Sequence, residues 1–221
     1  MAETRTPIIS FKNFSFQYRA QKQPTLHDIN LDIYPGERVL IAGPSGSGKS
    51  TLAACINGLN PFSYPGECTG TLTVDGVDAP HSSIFELAGH VGTVLQDPDG
   101  QFIGLTVGED IAFALENSCT PQDEMHAITR HAAELVGIEN HLGFAPHELS
   151  GGQKRRAALL RALWAGCDTL LLDEPFTGMD PETMKKAAAL LKERRGERAV
   201  LLATHDREAI RELGWKVIEL G

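Results

Sequence analysis

The chain has 221 residues, of which 42% are hydrophobic, and this is enough to bury one large core and a satellite subdomain. Its net charge of −9 argues against a general nucleic-acid binder and against a protein that binds anionic membranes directly. The four cysteines form no C-x-x-C pair, which favours a reducing compartment, and neither a membrane-spanning helix nor a signal peptide is predicted.

The first predicted elements are strands. Residues 8–42 and 69–77 are predicted to form an antiparallel layer, in which Asp75 and Gly76 make a hairpin turn. The run Val39–Ala42 is continuously apolar, which is typical of a buried strand. This predicted strand leads directly into the glycine-rich segment Gly43–Ser50.

The segment Gly43–Ser50 fits the phosphate-binding pattern G-x-x-x-x-G-K-[ST]. Its glycines allow a tight turn whose N–H groups point at anionic oxygens, and a helix predicted from about Lys49 adds the positive end of its dipole. Lys49 is expected to reach the β- and γ-phosphates of a nucleoside triphosphate, and Ser50 to place its hydroxyl on Mg²⁺. The alternative is a chance glycine-rich turn before a helix. The predicted nucleotide-binding residues here are Gly43, Pro44, Ser45, Gly46, Ser47, Gly48, Lys49, Ser50 and Thr51.

Further along the chain, one more strand precedes a helical stretch. Residues 90–95 are predicted as a strand that leads to Gln96, and residues 106–148 are predicted to be helical. Pro121 is expected near the start of one of these helices and Gly137 just beyond its end.

A second glycine pair follows in Ser150-Gly151-Gly152. Ser150 is predicted to cap a helix that runs to Gly166. The first turn of this helix carries Lys154, Arg155 and Arg156, and cations there oppose the helix dipole. A phosphate bound at the helix start would relieve the conflict, whereas the alternative is a solvated basic face.

Two more apolar runs end in polar side chains. The first ends in Asp173 and Glu174, and it is predicted to be a buried parallel strand with acids at the edge where open α/β sheets bind ligands. The alternative is a pair of solvated acids at a strand end. The second run, Arg198–Ala203, is followed by the polar residues Thr204, His205 and Asp206. Between these runs, Asp180 is predicted to cap a helix that begins with a proline.

Together these motifs resemble those of ATP-binding cassette (ABC) ATPases, from Ile8 to about Leu220. The resemblance implies an α/β fold with a phosphate-loop ATPase core, a mostly parallel sheet, an antiparallel β layer and a helical subdomain. It implies a single domain over residues 1–221, in which residues 98–155 form the inserted helical subdomain. The segment Thr177–Asp180 resembles the D-loop, although its sequence, Thr-Gly-Met-Asp, departs from the usual Ser/Ala-x-Leu-Asp.

The resemblance also implies a role for particular residues. ATP and Mg²⁺ are the implied cofactors, and a second ABC ATPase subunit is the implied partner, because two cassettes of this family pair head to tail around ATP. The roles implied in this way are Asp173 and Gln96 as Mg²⁺ ligands, Glu174 as general base, His205 as a γ-phosphate contact, Tyr18 as the ring that stacks on adenine, and Ser150, Gly151 and Gly152 as contacts to the ATP of the partner cassette.

Two segments narrow the resemblance further. Residues 96–102 and 106–117 resemble the corresponding segments of energy-coupling-factor and cobalt-type importer ATPases, except that Asp97 stands where asparagine is usual. Phe62–Glu67 resembles the first cassette of tandem-fused members. The implied function is an ATPase peripheral to the cytoplasmic face of the membrane, which drives vitamin or transition-metal import through a transmembrane coupling subunit.

The alternative function is a soluble ABC ATPase of DNA maintenance, translation or cluster assembly, with no role in transport. Ser150-Gly151-Gly152 resembles the signature segment of ABC ATPases. A sustained coiled coil between the phosphate loop and this signature segment, or a second cassette with a basic linker, would favour that alternative, and neither is found here. A module that binds nucleotide without hydrolysis is disfavoured, because Glu174 and His205 are both present.

Overall fold

A computed structural model describes residues 5–194, 196, 198–204 and 215–220 of the chain. Its strands are β1 (Ile9–Tyr18), β2 (Leu26–Ile33), β3 (Arg38–Ala42), β4 (Gly66–Val74), β5 (Val77–Asp78), β6 (Val91–Val94), β7 (Thr169–Asp173), β8 (Ala199–Ala203) and β9 (Lys216–Glu219). Its α-helices are α1 (Lys49–Ile56), α2 (Leu59–Phe62), α3 (Ile84–Ala88), α4 (Val107–Asn117), α5 (Gln122–Leu135), α6 (Gly151–Trp164) and α7 (Pro181–Arg194). None of these helices combines the length and the apolar character needed to cross a bilayer.

The first sheet is antiparallel and has the strand order β2-β1-β4-β5. Its inner face is aromatic, because Phe11, Phe14 and Phe16 of β1 are buried in the core. Asp75 and Gly76 connect β4 to β5 with φ angles of 49° and 78°, so the predicted hairpin turn is confirmed.

The second sheet has the order β6-β7-β8-β3-β9. β3 pairs in parallel with β8 on one side and with β9 on the other. The prediction that residues 8–42 all belong to the antiparallel layer is therefore wrong for β3. The physical reason is that β3 is covered on both faces, since Val39–Ala42 is buried at every position. The α/β fold class with one parallel and one antiparallel sheet is confirmed.

The chain divides into two compact units. The first unit comprises the described residues up to Gly92, then Cys167–Asp173 and the described residues beyond 197. The second comprises Thr93–Gly166 and Glu174–Gly196, and it contains α4, α5, α6 and α7. The helical subdomain predicted over residues 98–155 falls within the second unit, and its standing as a subdomain stays a prediction.

Local sequence signals set the ends of the helices in the second unit. α5 follows Pro121 and ends before Gly137, whose φ is 67°, so both predicted boundaries are confirmed. α4 starts with a capping box, in which Thr106 accepts a hydrogen bond from the Glu109 N–H while the Glu109 carboxylate accepts from the Thr106 N–H. This capping box defines the start of α4.

Candidate functional site

The phosphate loop connects β3 to α1, which begins at Lys49 as predicted. Gly46 and Gly48 have φ angles of 83° and 95°, in the left-handed region that favours glycine. A Cβ atom added at Gly46 would meet no atom within 4 Å, so the loop is open at this point. The Lys49 ammonium group donates to the carbonyl oxygens of Gly43 at 2.9 Å and Pro44 at 2.8 Å, which holds it against the loop.

The loop has the chemistry that a chain of phosphates requires. α1 has no side-chain cap at Gly48, so the first N–H groups of this helix keep the partial positive charge that attracts anions. The buried hydroxyl of Ser47 has no hydrogen-bond partner among the residues that the structure describes. The loop therefore fits the triphosphate of a nucleotide.

The fit for Mg²⁺ depends on oxygen atoms. Ser50 lies in the first turn of α1, and Asp173 is the last residue of β7, where it is 6% exposed. Hydroxyl and carboxylate oxygens are ligands that Mg²⁺ accepts, and the ion usually takes its other ligands from phosphates and water. Within the described ranges, no group of three or more histidine, cysteine and acidic side chains could hold a metal. The oxygen set fits an ion that is bound together with a nucleotide.

Tyr18 lies at the end of β1, next to the phosphate-loop helix. Its hydroxyl is 3.2 Å from the hydroxyl oxygen of Thr51, and the Asn60 amide donates to it at 3.3 Å. The ring packs edge-on against buried Phe16, with centroids 4.8 Å apart. The sequence did not single out Asn60, because one asparagine after a helix carries no recognisable pattern. Stacking of Tyr18 on adenine stays a prediction.

Glu174 follows β7 directly in an unusual backbone conformation. Its φ is 51°, in the left-handed region that side chains with a Cβ adopt at a cost, and it is 8% exposed. The Thr177 hydroxyl donates to the Glu174 carboxylate at 3.1 Å. Strained backbone of this kind is concentrated at functional sites, where the surrounding structure maintains it.

Gln96 lies in the loop after β6, and a neighbouring side chain holds the start of this loop. The Gln101 side chain accepts from the Leu95 N–H at 2.9 Å and donates to the Thr93 carbonyl at 3.0 Å. These two hydrogen bonds satisfy main-chain groups at the end of β6, as a neighbouring strand would. They therefore fix the backbone that leads into Gln96. Its role as a Mg²⁺ and water ligand stays a prediction.

The far end of the same loop is anchored by a buried acid that sequence reasoning missed. Asp110 has no exposed surface, and it accepts from the N–H groups of Ile103 at 2.7 Å and Gly104 at 3.2 Å. Arg161 of α6 lies 3.3 Å from this carboxylate and also donates to the Gln101 carbonyl. Acids are common in the first turn of a helix, so the position of Asp110 in the sequence does not distinguish it.

The signature segment begins α6 as predicted. Ser150 is the N-cap, and a capping box joins it to Gln153, whose side chain accepts from the Ser150 N–H at 2.8 Å. Gly151 is exposed at the helix start. The helix ends at Trp164, two positions short of the predicted stop at Gly166. An exposed, capped helix start is suited to bind an anion.

The basic side chains of this first turn are not a solvated face. Lys154 pairs with Asp99 at 2.6 Å, and Arg156 donates to the Val136 carbonyl at 2.7 Å. Arg155 likewise has carbonyl acceptors at 3.3 Å. These contacts offset the unfavourable position of the cations in the helix dipole without any bound phosphate.

Asp180 caps α7, which begins at Pro181, so this prediction is confirmed. Its carboxylate accepts from the N–H groups of Glu182 at 3.1 Å and Thr183 at 3.0 Å, and from the Thr183 hydroxyl at 2.6 Å. The hydrogen bond from the Thr183 hydroxyl, followed by that from the Thr183 N–H, lowers the pKa of Asp180. His205 lies outside the described residues, so its contact to a γ-phosphate stays a prediction.

This combination of an open phosphate loop after a parallel strand and an acid at the end of another strand of the same sheet defines a phosphate-loop nucleotide-binding domain. The sequence profile of the ABC transporter family matches residues 26–177. The chain belongs to the ABC transporter family, as an ATP-binding cassette of the ABC ATPase type.

Individual relatives agree with this assignment. A protein of Lactiplantibacillus plantarum, provisionally named as an ABC transporter ATP-binding protein, is 57% identical over 84% of this chain and 33% of its own length. A similarly named protein of Clostridium perfringens is 50% identical over 93% of this chain and 37% of its own length. The chain therefore spans about a third of the length of these curated relatives.

Solved structures give the same fold. An ATP-binding cassette, solved as a dimer in a post-hydrolysis state with ADP and Pi, is 29% identical with a TM-score of 0.80, over 96% of this chain and 94% of that chain. CbiO1 of Clostridium perfringens, part of the ABC transporter complex CbiONQ, is 30% identical with a TM-score of 0.73, over 97% of this chain and 84% of its own.

Proposed function

We propose that this chain hydrolyses ATP in a head-to-tail pair of cassettes and thereby powers the import of a vitamin or a transition metal. The family assignment supports the cassette, and the likeness to CbiO1, which is part of a transporter complex, supports the importer type. The alternative of a soluble ABC ATPase without a transport role is not favoured, because the relatives carry transporter names.

The proposed division of labour follows the chemistry of each group. Lys49 and the N–H groups of the phosphate loop bind the phosphates, while Ser50 and Asp173 hold Mg²⁺. The ion neutralises phosphate charge when it is bound. Glu174 accepts the proton of the attacking water, and Gln96 orients that water.

The observation that carries this proposal is how tightly the structure constrains Glu174. Glu174 follows directly on Asp173, is 8% exposed and has a backbone φ of 51°, and one of its carboxylate oxygens accepts from a hydroxyl. A solvated acid at a strand end needs none of these constraints. A general base does, because proton transfer requires a fixed distance to the water.

The change Glu174→Gln tests the proposal directly. It keeps the shape of the side chain and removes the base, so hydrolysis should slow by about 10²–10⁴-fold while ATP binding is retained. Size-exclusion chromatography should also show this variant as a dimer in ATP. The matched control is Glu134→Gln on the exposed face of α5, which should turn over as wild type does. Near-normal phosphate release by Glu174→Gln would remove this residue from the role of base.

A surface of the second unit supports docking of a membrane-embedded coupling subunit. Ile103 is 64% and Leu105 is 84% exposed, in the loop that follows Gln96, and Phe144 is also exposed. The Val107 N–H donates to the Phe144 carbonyl at 2.9 Å, so the main chain at Phe144 lies beside the segment that carries Leu105. Such a patch next to a catalytic loop is suited to an apolar helix of the coupling subunit. The same proposal places the chain at the cytoplasmic face of the membrane.

Docking at this surface has its own test. Leu105→Asp should prevent co-purification with the coupling subunit, because the partner would bury a carboxylate without a pairing group. ATP hydrolysis by the isolated chain should persist in this variant. Co-purification at the wild-type level would show that the coupling subunit binds elsewhere.

A further inference from the structure

Arg155 joins two loops of the second unit. It lies in the first turn of α6, where its side chain is half-buried. Its Nε–H donates to the Gln96 carbonyl at 3.3 Å, and its Nη1–H donates to the Thr177 carbonyl at 3.3 Å. One guanidinium group therefore connects the loop after β6 to the loop after β7, although these segments lie far apart in sequence.

The second of these loops leads to the carboxylate of Glu174. The Thr177 hydroxyl donates to a Glu174 carboxylate oxygen at 3.1 Å, and the Thr177 N–H donates to the Glu174 carbonyl at 3.3 Å. The residue whose carbonyl accepts from Arg155 is thus the same residue that holds Glu174. A shift of Thr177 would move the carboxylate with it.

Close packing of two glycines keeps this arrangement tight. A Cβ atom added at Gly152 would lie 3.1 Å from the Gly178 carbonyl oxygen, and Gly178 has a φ of 80°. The backbone of α6 therefore lies directly against the loop that carries Thr177. This short spacing allows Arg155 to reach the loop from its own helix.

The neighbouring cations do not share this geometry. Lys154 pairs with the partly exposed carboxylate of Asp99, and Arg156 reaches the Val136 carbonyl at the end of α5. Among the basic side chains of this turn, Arg155 is the one whose acceptors belong to the Gln96 and Glu174 segments. The planar guanidinium can serve two carbonyls at once, which a lysine ammonium on a flexible stem does less well.

We propose that Arg155 is a positioning residue that holds Gln96 and Glu174 in the arrangement required for hydrolysis. This inference rests on the proposed function, since it takes Gln96 and Glu174 as the groups that act on the attacking water. In this proposal Arg155 acts through the two main-chain carbonyls. A small displacement of a catalytic group is costly, so the loss of this link should appear in turnover.

Arg155→Met removes both hydrogen-bond donors and keeps the aliphatic stem. Arg155→Lys keeps the positive charge but lacks the planar guanidinium group that serves both carbonyls. Arg155→Met should lower kcat by about 10- to 100-fold with little change in KM for ATP, and Arg155→Lys should restore part of the loss. Arg130→Met is the matched control, because it removes a similar charge from the exposed face of α5. It should leave kcat unchanged.

Two further measurements separate positioning from a general loss of structure. In a Glu174→Gln background, Arg155→Met should cause less additional slowing than it does in wild type, because one of the two groups that Arg155 positions is already absent. In nucleotide-free protein, amide hydrogen exchange over residues 174–180 should rise in Arg155→Met and stay at the wild-type level in Arg130→Met.

The outcomes distinguish this inference from the proposed function. Absence of ATP hydrolysis by the wild-type dimer would overturn the proposed function itself. Wild-type hydrolysis together with an Arg155→Met variant that behaves like Arg130→Met would overturn only the inference. Additive slowing in the Glu174→Gln background would likewise show that Arg155 does not act through Glu174.

Discussion

At the scale of single residues, the site depends on groups whose own contacts limit where they can go. The Lys49 ammonium is held by two loop carbonyls, and the Glu174 carboxylate by the Thr177 hydroxyl. A preorganised group loses little freedom when it binds or reacts, so such contacts favour function as well as stability. The left-handed φ of Glu174 indicates that this order has an energetic cost.

The cysteines give a prediction at the same scale. Burial raises the pKa of Cys55 from its ordinary value of 9.0 to about 12, whereas Cys119 is exposed. At pH 8 an aromatic disulfide reagent should therefore modify Cys119 rapidly in the native protein, and Cys55 only after unfolding. Rapid native modification in a variant that carries both Cys68→Ser and Cys119→Ser would contradict the burial of Cys55 and Cys167.

The raised pKa of Cys55 also makes the free energy of unfolding depend on pH. The unfolded Cys55 thiol ionises above pH 9.0 while the folded one stays neutral up to about pH 12. The stabilising contribution of Cys55 is therefore complete below pH 9.0 and is lost as pH rises through that window. Between pH 8 and pH 10, the free energy of unfolding should therefore fall more in wild type than in Cys55→Ser. Denaturation of both proteins at the two pH values measures this difference.

At the scale of elements, helix starts decide where the functional side chains lie. α4, α6 and α7 are capped by Thr106, Ser150 and Asp180, and each of these residues accepts a hydrogen bond from an N–H group of the first turn. Because α4 starts beside the loop anchored by Asp110, its cap also fixes the apolar surface at Leu105.

Loss of one cap should have a measurable effect. Thr106→Ala removes the hydroxyl that accepts from the Glu109 N–H, and it should lower the free energy of unfolding by about 1 kcal/mol. Urea denaturation followed by circular dichroism measures this difference. Thr106→Ser keeps the hydroxyl and serves as the control, so equal transition midpoints for Ala and Ser would show that the cap contributes nothing.

At the scale of the whole molecule, the prediction concerns two copies of the chain. In the proposed head-to-tail pair, the phosphate loop of one cassette would face Ser150 and Gly151 of the other, so each ATP site would take residues from both. Gly151→Asp places a carboxylate where the partner's ATP phosphates approach, and like charges repel. This variant should bind ATP as a monomer but should not dimerise in a Glu174→Gln background.

A mixing experiment sharpens that test. Lys49→Ala should weaken ATP binding, and a mixed dimer of this variant with Gly151→Asp has one site with both changes and one with neither. Partial phosphate release should therefore return on mixing if one intact site is sufficient. Dimerisation and hydrolysis by Gly151→Asp alone at wild-type levels would show that the signature segment does not act across a dimer.

The sequence by itself determined several local elements that the structure contains. Patterns of neighbouring residues were sufficient for the phosphate loop, the cap at Ser150, the start of α7 after Asp180 and the buried strand that ends in Asp173. Each of these features depends on local backbone geometry, and local geometry is encoded by residues a few positions apart.

Only the tertiary structure decided which sheet β3 joins and which side chains hold the loops in place. β3 finds its partners in β8 and β9, far along the chain, and Arg155 finds Gln96 and Thr177 in the same way. The buried pair of Asp110 and Arg161 likewise leaves no local pattern. Such contacts depend on the packing of segments that are distant in sequence, and the packing free energy is shared among many residues, so no short motif records them.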